Sequence, residues 1–330
     1  VGVFTNLSPE HLDDHGTMED YRRSKLLLFG LAEKSVINAD DPAAAEAVAA
    51  APGDVLLFGI AGKGGASALQ ADACCVLLAD KIEYSGGCVT FTARLSYGGA
   101  RNAGGGEHAC EQSEAACPDR TRESVSSTVS LDTPSEFAIY NALAAIGAVR
   151  FAGVRFEDAA AALNERVGIP GRYEVISSED GRTAIVDYAH TAGALENLLH
   201  AVRSNPAYRE VISVFGCGGD RDPSKRAPMG EISCRLADFS ILTSDNPRTE
   251  DMDDILDEVE RGAIASGAVS GVRYEREKDR AAAIEKALRR ARPGDVVVIA
   301  GKGHEEYQIL GKEKVHFDDR EQVRAVFAQS

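Results

Sequence analysis

The run Val211-Ile212-Ser213-Val214-Phe215-Gly216-Cys217-Gly218-Gly219-Asp220-Arg221-Asp222 holds an apolar strand, a glycine-rich turn and an ionic loop in succession. A helical stretch, Lys225–Ala237, follows at once, and a second apolar run, Phe239–Thr243, follows that. Apolar runs of this length bounded by turn residues and separated by helices of about ten residues mark a parallel, doubly wound sheet. The same alternation extends in both directions. Strands are expected at Thr183–Tyr188 and Val296–Ala300, and helices at about Ala192–Arg203, Met252–Gly262, Arg280–Arg292 and Arg320–Ala328. In such a sheet the loops that follow the strands gather at one edge, where ligands bind.

Those loops carry the polar residues. They read Asp187-Tyr188-Ala189-His190-Thr191, Gly216 to Asp222, Ser244-Asp245-Asn246-Pro247-Arg248-Thr249-Glu250 and Gly301-Lys302-Gly303-His304-Glu305-Glu306. The glycines at 216, 218 and 219 lack the third offset of a dinucleotide fingerprint, so a tight turn is the competing reading. Pro247 stiffens the segment between Asn246 and Arg248, and an arginine held in that way grips a carboxylate with two parallel hydrogen bonds. Pairing of Arg248 with Glu250 or Asp251 is the structural alternative. Gly301 offers a carbonyl and Glu305 a carboxylate, both suited to an ammonium group. A site with one cationic and one anionic end fits a zwitterion, namely an amino acid.

Upstream, Val1–Asn6, Ser35–Asn38, Val55–Phe58, Cys74–Leu78, Lys81–Tyr84 and Cys88–Leu95 read as strands, with a hairpin turn at Ser85-Gly86-Gly87. Helices are expected from Thr17, as N-cap, to Glu33, from Asp41 to Ala51, over Ser135–Phe151 and over Phe156–Val167. Residues 98–127 are rich in Gly, Ala, Ser and Glu and read as a mobile insertion, and Gly168-Ile169-Pro170-Gly171 reads as a linker and hinge. A lone lysine on a helix usually lies on a solvated face, but Lys25 lies beside the apolar run Leu26–Phe29, which points to burial near the site. A buried, neutral lysine can take up carbon dioxide as a carbamate and so become an oxygen ligand for Mg²⁺.

The chain has 330 residues, a net charge of −16, 44 % hydrophobic and 27 % charged residues, enough for two domains with substantial cores. The acidic balance argues against nucleic acid or an anionic membrane as partner, and no apolar stretch is long enough to span a bilayer. The seven cysteines show no zinc spacing and read as free thiols in a reducing cytoplasm.

Five ordered motifs resemble the Mur ligases: Phe4-Thr5-Asn6-Leu7-Ser8-Pro9-Glu10-His11-Leu12-Asp13, Asp187-Tyr188-Ala189-His190-Thr191, Gly218-Gly219-Asp220-Arg221-Asp222, Asp245-Asn246-Pro247-Arg248 and Gly301-Lys302-Gly303-His304-Glu305. The resemblance covers nearly the whole chain outside residues 98–127. It implies an α/β chain with the C-terminal part of a P-loop-type ATPase central domain at 1–167 and a Rossmann-like, amino-acid-binding domain at 168–330. It implies a cytoplasmic, monomeric ligase that uses ATP and Mg²⁺ to add meso-diaminopimelate to UDP-N-acetylmuramoyl-L-alanyl-D-glutamate through an acyl phosphate. By the same resemblance Lys25 is the carbamylated lysine and His11 a metal-site residue. Asn38, Asp40, Asn141, Arg172 and Asp187 face the nucleotide, and Arg221, Asn246, Arg248, Gly301 and Glu305 hold diaminopimelate. Two positions depart from the family pattern: Ala138 stands where an Asn is usual, and Ala192 where a Pro follows His-Thr. A loop of the form G-x-x-x-x-G-K-[ST] is absent from these residues, and Gly62-Lys63-Gly64-Gly65 reads as a surface turn, so the isolated chain is expected not to turn over. A truncated or split non-catalytic fragment and a ligase that adds L-lysine are the alternatives.

Overall fold

A computed structural model describes residues 1–8, 15–85, 87–97, 124–165 and 168–329. The chain divides into two compact units, Val1–Arg166 and Val167–Ser330. His11, Cys110, Cys117 and most of the expected insertion lie outside the described residues.

In the first unit, strands β1 (Gly2–Phe4), β2 (Lys34–Asn38), β3 (Asp54–Ile60) and the first half of β4 (Cys75–Ser85) are parallel neighbours. Strand β4 then pairs antiparallel with β5 (Cys88–Tyr97), and β5 with β6 (Ser124–Leu131). Three expectations change here. The two strands read at 74–78 and 81–84 are one strand, broken only by an irregularity between Asp80 and Glu83 where Lys81 has φ +51°. The residues from Ser124 belong to a strand rather than to an insertion. Asp41 does not cap its helix, which starts at Ala44; its carboxylate accepts instead from the backbone of Ala43 and Leu7.

Helix α1 (Met18–Leu31) starts where Thr17 accepts from the Asp20 amide, and α2 (Ala44–Ala50) and α3 (Gly65–Leu69) follow. Helix α4 (Glu136–Phe151) is capped by Ser135, and α5 (Phe156–Leu163) comes after it. Alternate strand residues feed two cores. Ile37, Val55 and Leu57 join Phe29 of α1 and Ala47 of α2, whereas Val36, Leu56 and Phe58 join Ile139, Leu143 and Ile146 of α4. Burial on both faces is why these strands read as continuous apolar runs.

The second unit is a six-stranded sheet with strand order β11-β10-β9-β12-β8-β7. These are β7 (Glu174–Ser177), β8 (Thr183–Asp187), β9 (Val211–Cys217), β10 (Phe239–Ser244), β11 (Tyr274–Arg276) and β12 (Val296–Ala300). All pairs are parallel except β7 with β8. The chain runs outward from β9 to β11 and then returns to insert β12 between β9 and β8, which opens a crevice at the strand ends there. Helices α6 (Ala192–Arg203), α7 (Arg226–Leu236) and α8 (Met252–Ala265) pack on one face, and α9 (Arg280–Arg290) and α10 (Asp319–Phe327) on the other. A small hairpin, β13 (Tyr307–Leu310) with β14 (Glu313–His316), follows β12.

Gly171 is less free than a linker residue. It is buried at φ +64°, its N–H donates to Glu174, and a Cβ there would lie 2.1 Å from the carbonyl carbon of Gly303. It is built into the second unit rather than tethering it. Among the described residues no helix is long and apolar enough to cross a membrane, and Cys74, Cys217 and Cys234 are free thiols.

Candidate functional site

The strand ends of the second unit bring the ionic loops together around Asn246. Its backbone carbonyl accepts from Gly219 N–H at 2.9 Å and from Arg248 Nη1 at 3.4 Å. Its side-chain Oδ1 accepts from Lys302 Nζ and from the Ile309 N–H, each at 3.0 Å, and its Nδ2 donates to Glu305 Oε2 at 3.1 Å. One buried residue thus touches the cationic arm on its main chain and the anionic arm on its side chain.

Arg248 is held at φ +52°, a left-handed backbone that costs a non-glycine residue about 1 kcal/mol or more. The hairpin stabilises it: the Arg248 N–H donates to the Ile309 carbonyl at 3.1 Å, and Arg248 bridges in parallel to Leu310. Its Nη1 donates to the Gly219 carbonyl at 2.7 Å. No carboxylate lies within ion-pairing distance of Arg248 among the described residues. The rival pairing with Glu250 or Asp251 is not formed, because Glu250 pairs with Arg226 at 2.9 Å and Asp251 caps α8. The half-buried guanidinium therefore keeps an edge for an incoming anion.

The glycine turn serves close passage of these loops. A Cβ on Gly219 would stand 2.0 Å from the Pro247 carbonyl oxygen, while one on Gly218 would stand 3.0 Å from Arg248 Nη1 and 3.9 Å from Arg221 Cγ. Gly219→Ala should displace the 246–248 segment and lower stability by about 1–3 kcal/mol. Urea unfolding followed by far-ultraviolet circular dichroism reads this, and an unchanged midpoint would refute it. Arg221 is exposed at the tip of the same loop. Beside it, the Asp220 carboxyl is held below its usual range, chiefly by the Thr249 hydroxyl and then by the Thr249 N–H.

Gly301 is buried at φ +114°, and a Cβ there would stand 2.9 Å from Asp245 Oδ2. Its N–H donates to the Asp187 carbonyl at 3.1 Å, which ties β8 to the 301–305 loop. The Asp187 carboxylate accepts from the Tyr173 and Ala189 N–H groups, each at 2.8 Å. Burial nevertheless dominates and raises its pKa above the usual carboxylate value; those two donors, Arg172 and His190 pull it back only in part. Because the folded state holds this proton more tightly than the unfolded chain, the contribution is present below the ordinary value and is lost as pH rises through the raised one. Asp187→Asn should remove that decline. Paired urea titrations of the two proteins on both sides of the ordinary carboxyl value test it, and parallel pH profiles would refute it. Arg172 is exposed and stacks on the Tyr188 ring, 4.5 Å from its centroid, with His190 and His304 against the same ring.

In the first unit Asn38 and Asp40 are brought together at the ends of β2 and β3. Asn38 is buried; its Nδ2 donates to the Thr5 carbonyl at 2.7 Å and its Oδ1 accepts from the Asp40 N–H. Asp40 Oδ2 accepts from the Ile60 N–H at 2.8 Å and from Tyr140 at 3.0 Å. Burial, then Asp40, raise the Tyr140 pKa. Asp40 Oδ1 is buried without a donor, and Gly59 and Gly65 crowd this carboxylate so closely that a Cβ on either would fall within 3.0 Å of it. A buried acceptor left unmatched is costly, so this oxygen suits a donor on a ligand. Asn141 is exposed on α4, next to Tyr140.

Lys25 departs from expectation. It is partly exposed and lies over the Tyr21 ring, 4.8 Å from its centroid, and the neighbouring Leu27 and Leu28 are 66 % and 51 % exposed. The helical period turns Tyr21 and Phe29 inward and these leucines outward, so much of the apolar run beside Lys25 faces solvent. Among the described residues no group of three or more His, Cys, Asp or Glu side chains is gathered to hold a metal.

Several residues at the site had no role assigned from sequence. Lys302 is fully buried beneath Asn246 and Glu305. Arg226, 2 % exposed, braces Gly218, Glu250 and Glu258. Arg280, 1 % exposed, pairs with Asp319 and caps the carbonyls that end β10 and β12. Both arginines open helices, where a cation opposes the helix dipole; that unfavourable placement was a readable sign of a tertiary partner.

Two α/β units, one with an Asn–Asp turn at its parallel strand ends and one with an Arg/Glu crevice at a topological switch, form the framework of the Mur ligase family, and this chain belongs to it: the family's middle-domain model matches residues 1–149 and its glutamate ligase domain residues 171–303. The chain is 43 % identical over 335 residues to the UDP-N-acetylmuramoyl-L-alanyl-D-glutamate--2,6-diaminopimelate ligase of Synechococcus elongatus, a match that covers 100 % of this chain and 58 % of that protein. A solved structure of a UDP-N-acetylmuramoyl-L-alanyl-D-glutamate--2,6-diaminopimelate ligase is 31 % identical with a TM-score of 0.55, over 99 % of this chain and 60 % of that one. The MurF ligase of Thermotoga maritima, solved in complex with ADP, is 18 % identical with a TM-score of 0.63, over 99 % and 61 % of the two chains, and shares the fold. The chain thus spans about three fifths of the length of the relatives it matches.

Proposed function

We propose that the second unit selects meso-diaminopimelate for an ATP-dependent ligase that joins it to UDP-N-acetylmuramoyl-L-alanyl-D-glutamate. The observation that carries this reading is the separation of charge across Asn246: Arg248 and Glu305 stand on its two sides and neither neutralises the other. Arg248, with Arg221 nearby, takes a carboxylate; Glu305 and the Gly301 carbonyl take the ammonium of the same amino-acid end. The second amine of diaminopimelate then remains free to react.

In the reaction so read, an oxygen of the D-glutamyl carboxylate attacks the γ-phosphorus of ATP and ADP leaves. The diaminopimelate amine attacks the carbonyl carbon of the acyl phosphate, loses a proton and expels phosphate. This chain contributes by orienting the amine, since fixing the two reactants in a productive geometry supplies much of such a rate. The residues proposed to contact the nucleotide are Asn38, Asp40, Asn141, Arg172 and Asp187. The unmatched Asp40 Oδ1 supports a ligand donor such as an amino or hydroxyl group. Mg²⁺ would neutralise phosphate charge. His11 and Lys25, the latter as a carbamate, are the proposed residues that would hold it. The setting we infer is cytoplasmic, with the free thiols of Cys74, Cys217 and Cys234 as support.

Calorimetric titration of the chain with meso-diaminopimelate and with L-lysine tests the reading. Diaminopimelate should bind and L-lysine, which does not combine the same two charged ends beyond the reacting amine, should bind at least roughly tenfold more weakly. Equal binding, or preference for L-lysine, would overturn the assignment.

A further inference from the structure

We propose that Lys302 is a positioning residue that holds Glu305 and Asn246 in the one arrangement presenting a carboxylate oxygen to an incoming ammonium group. This rests on the amino-acid reading of the same site and names a residue on which its ammonium-binding half depends. Lys302 has no exposed surface, so it does not meet the ligand itself. Its Nζ donates to Asn246 Oδ1 at 3.0 Å and to Glu305 Oε2 at 3.2 Å, with Asp245 Oδ1 at 3.9 Å and the Tyr307 ring 5.6 Å away.

Two consequences follow from those contacts. An asparagine side chain can turn its oxygen and nitrogen about, and the choice is made by its partners. Here Lys302 and the Ile309 N–H both need an acceptor, so Oδ1 faces them and Nδ2 is forced toward Glu305. Glu305 Oε2 then accepts from both Lys302 and Asn246, so it is engaged while Oε1 remains for the ligand. Lys302 also offsets one of the two negative charges that Asp245 and Glu305 bring to this end. Without it, only the Ile309 N–H orients the Asn246 amide, and Glu305 and Asp245 lose a cation they share.

The experiment is calorimetric titration of the full chain with meso-diaminopimelate and with pimelate, which keeps both carboxylates and lacks both amines. The proteins are the wild type, Lys302→Met, Lys302→Arg, Glu305→Gln and the Lys302→Met/Glu305→Gln double variant. The wild type should prefer diaminopimelate. Lys302→Met should lower diaminopimelate affinity roughly tenfold to a hundredfold and leave pimelate within about threefold, because the lost interaction belongs to the ammonium end. The double variant should bind no more weakly than Glu305→Gln alone, since both changes disable one device. Lys302→Arg should recover part of the loss by keeping the charge. A parallel fall for both ligands, an additive double variant, or unchanged diaminopimelate affinity in Lys302→Met would each overturn the proposal. If the wild type shows no preference for diaminopimelate over pimelate, the amino-acid reading itself fails and this inference with it. Thermal melts accompany each titration, and Lys302→Gln, which keeps a donor without the charge, is judged by the same criteria should Lys302→Met not fold.

Discussion

Arg248→Ala is expected to weaken diaminopimelate binding by about a hundredfold or more while leaving nucleotide affinity within about twofold, the scale set by losing a charge-assisted, two-pronged carboxylate contact. The size follows from preorganisation. Arg248 is fixed before any ligand arrives: its φ of +52° is held by the hydrogen bond to Ile309 and the bridge to Leu310, and Nη1 is anchored on the Gly219 carbonyl. Little further ordering is required on binding, so most of the gross interaction appears as affinity. Arg248→Lys should recover little, because an ammonium cannot reproduce the planar fork. Titrations with diaminopimelate and with ATP measure the two effects separately. Equal losses for amino acid and nucleotide would remove Arg248 from the amino-acid site.

The largest effect on stability should come from Arg280→Ala, at about 3–5 kcal/mol, as expected when one partner of a buried ion pair is removed and the other is left charged. Arg280 and Asp319 have fully buried side chains, and the guanidinium meets both carboxylate oxygens at 2.8 Å. It also donates to the Ser244 carbonyl at 3.2 Å and to the Ala300 carbonyl at 3.0 Å. Those residues end β10 and β12, and the next residues begin the two loops that carry Arg248 and Glu305. The variant should therefore lose diaminopimelate affinity as well as stability. Replacing both members, as in Arg280→Met with Asp319→Leu, should restore much of the stability without restoring binding, because no buried charge is then left unpaired. The chain has no tryptophan, so circular dichroism in urea is the suitable probe. A loss below about 1 kcal/mol for Arg280→Ala would contradict this account of the pair.

Much of the architecture was legible because its strands are buried on both faces. Runs such as Val211–Phe215 and Val296–Ala300 are too apolar for any other place in a chain of this length, and the helices between them carry a clear period. The elements that were missed lack that signature. Strand β6 is rich in serine, β7 is an edge strand exposed at alternate residues, β11 has three residues, and every residue of β14 in the hairpin is exposed. Their pairing is decided by neighbours distant in the chain. Lys25 is only partly buried within the first unit for a related reason: an apolar run on a helix shows how much apolar surface exists, and only packing decides which side is covered.

The sequence by itself determined the two α/β units, the four loops at the strand ends of the second unit, and the opposite charges they carry. Those follow from local periodicity and residue chemistry, which do not depend on partners. Only the tertiary structure decided that β12 lies between β8 and β9, and that Glu250 pairs with Arg226 and so leaves Arg248 without a carboxylate among the described residues. It also decided that Lys302 is buried beneath the site rather than part of its surface. Strand order and the choice among competing ion pairs depend on distances between segments far apart in the chain, and those distances exist only once the chain has packed.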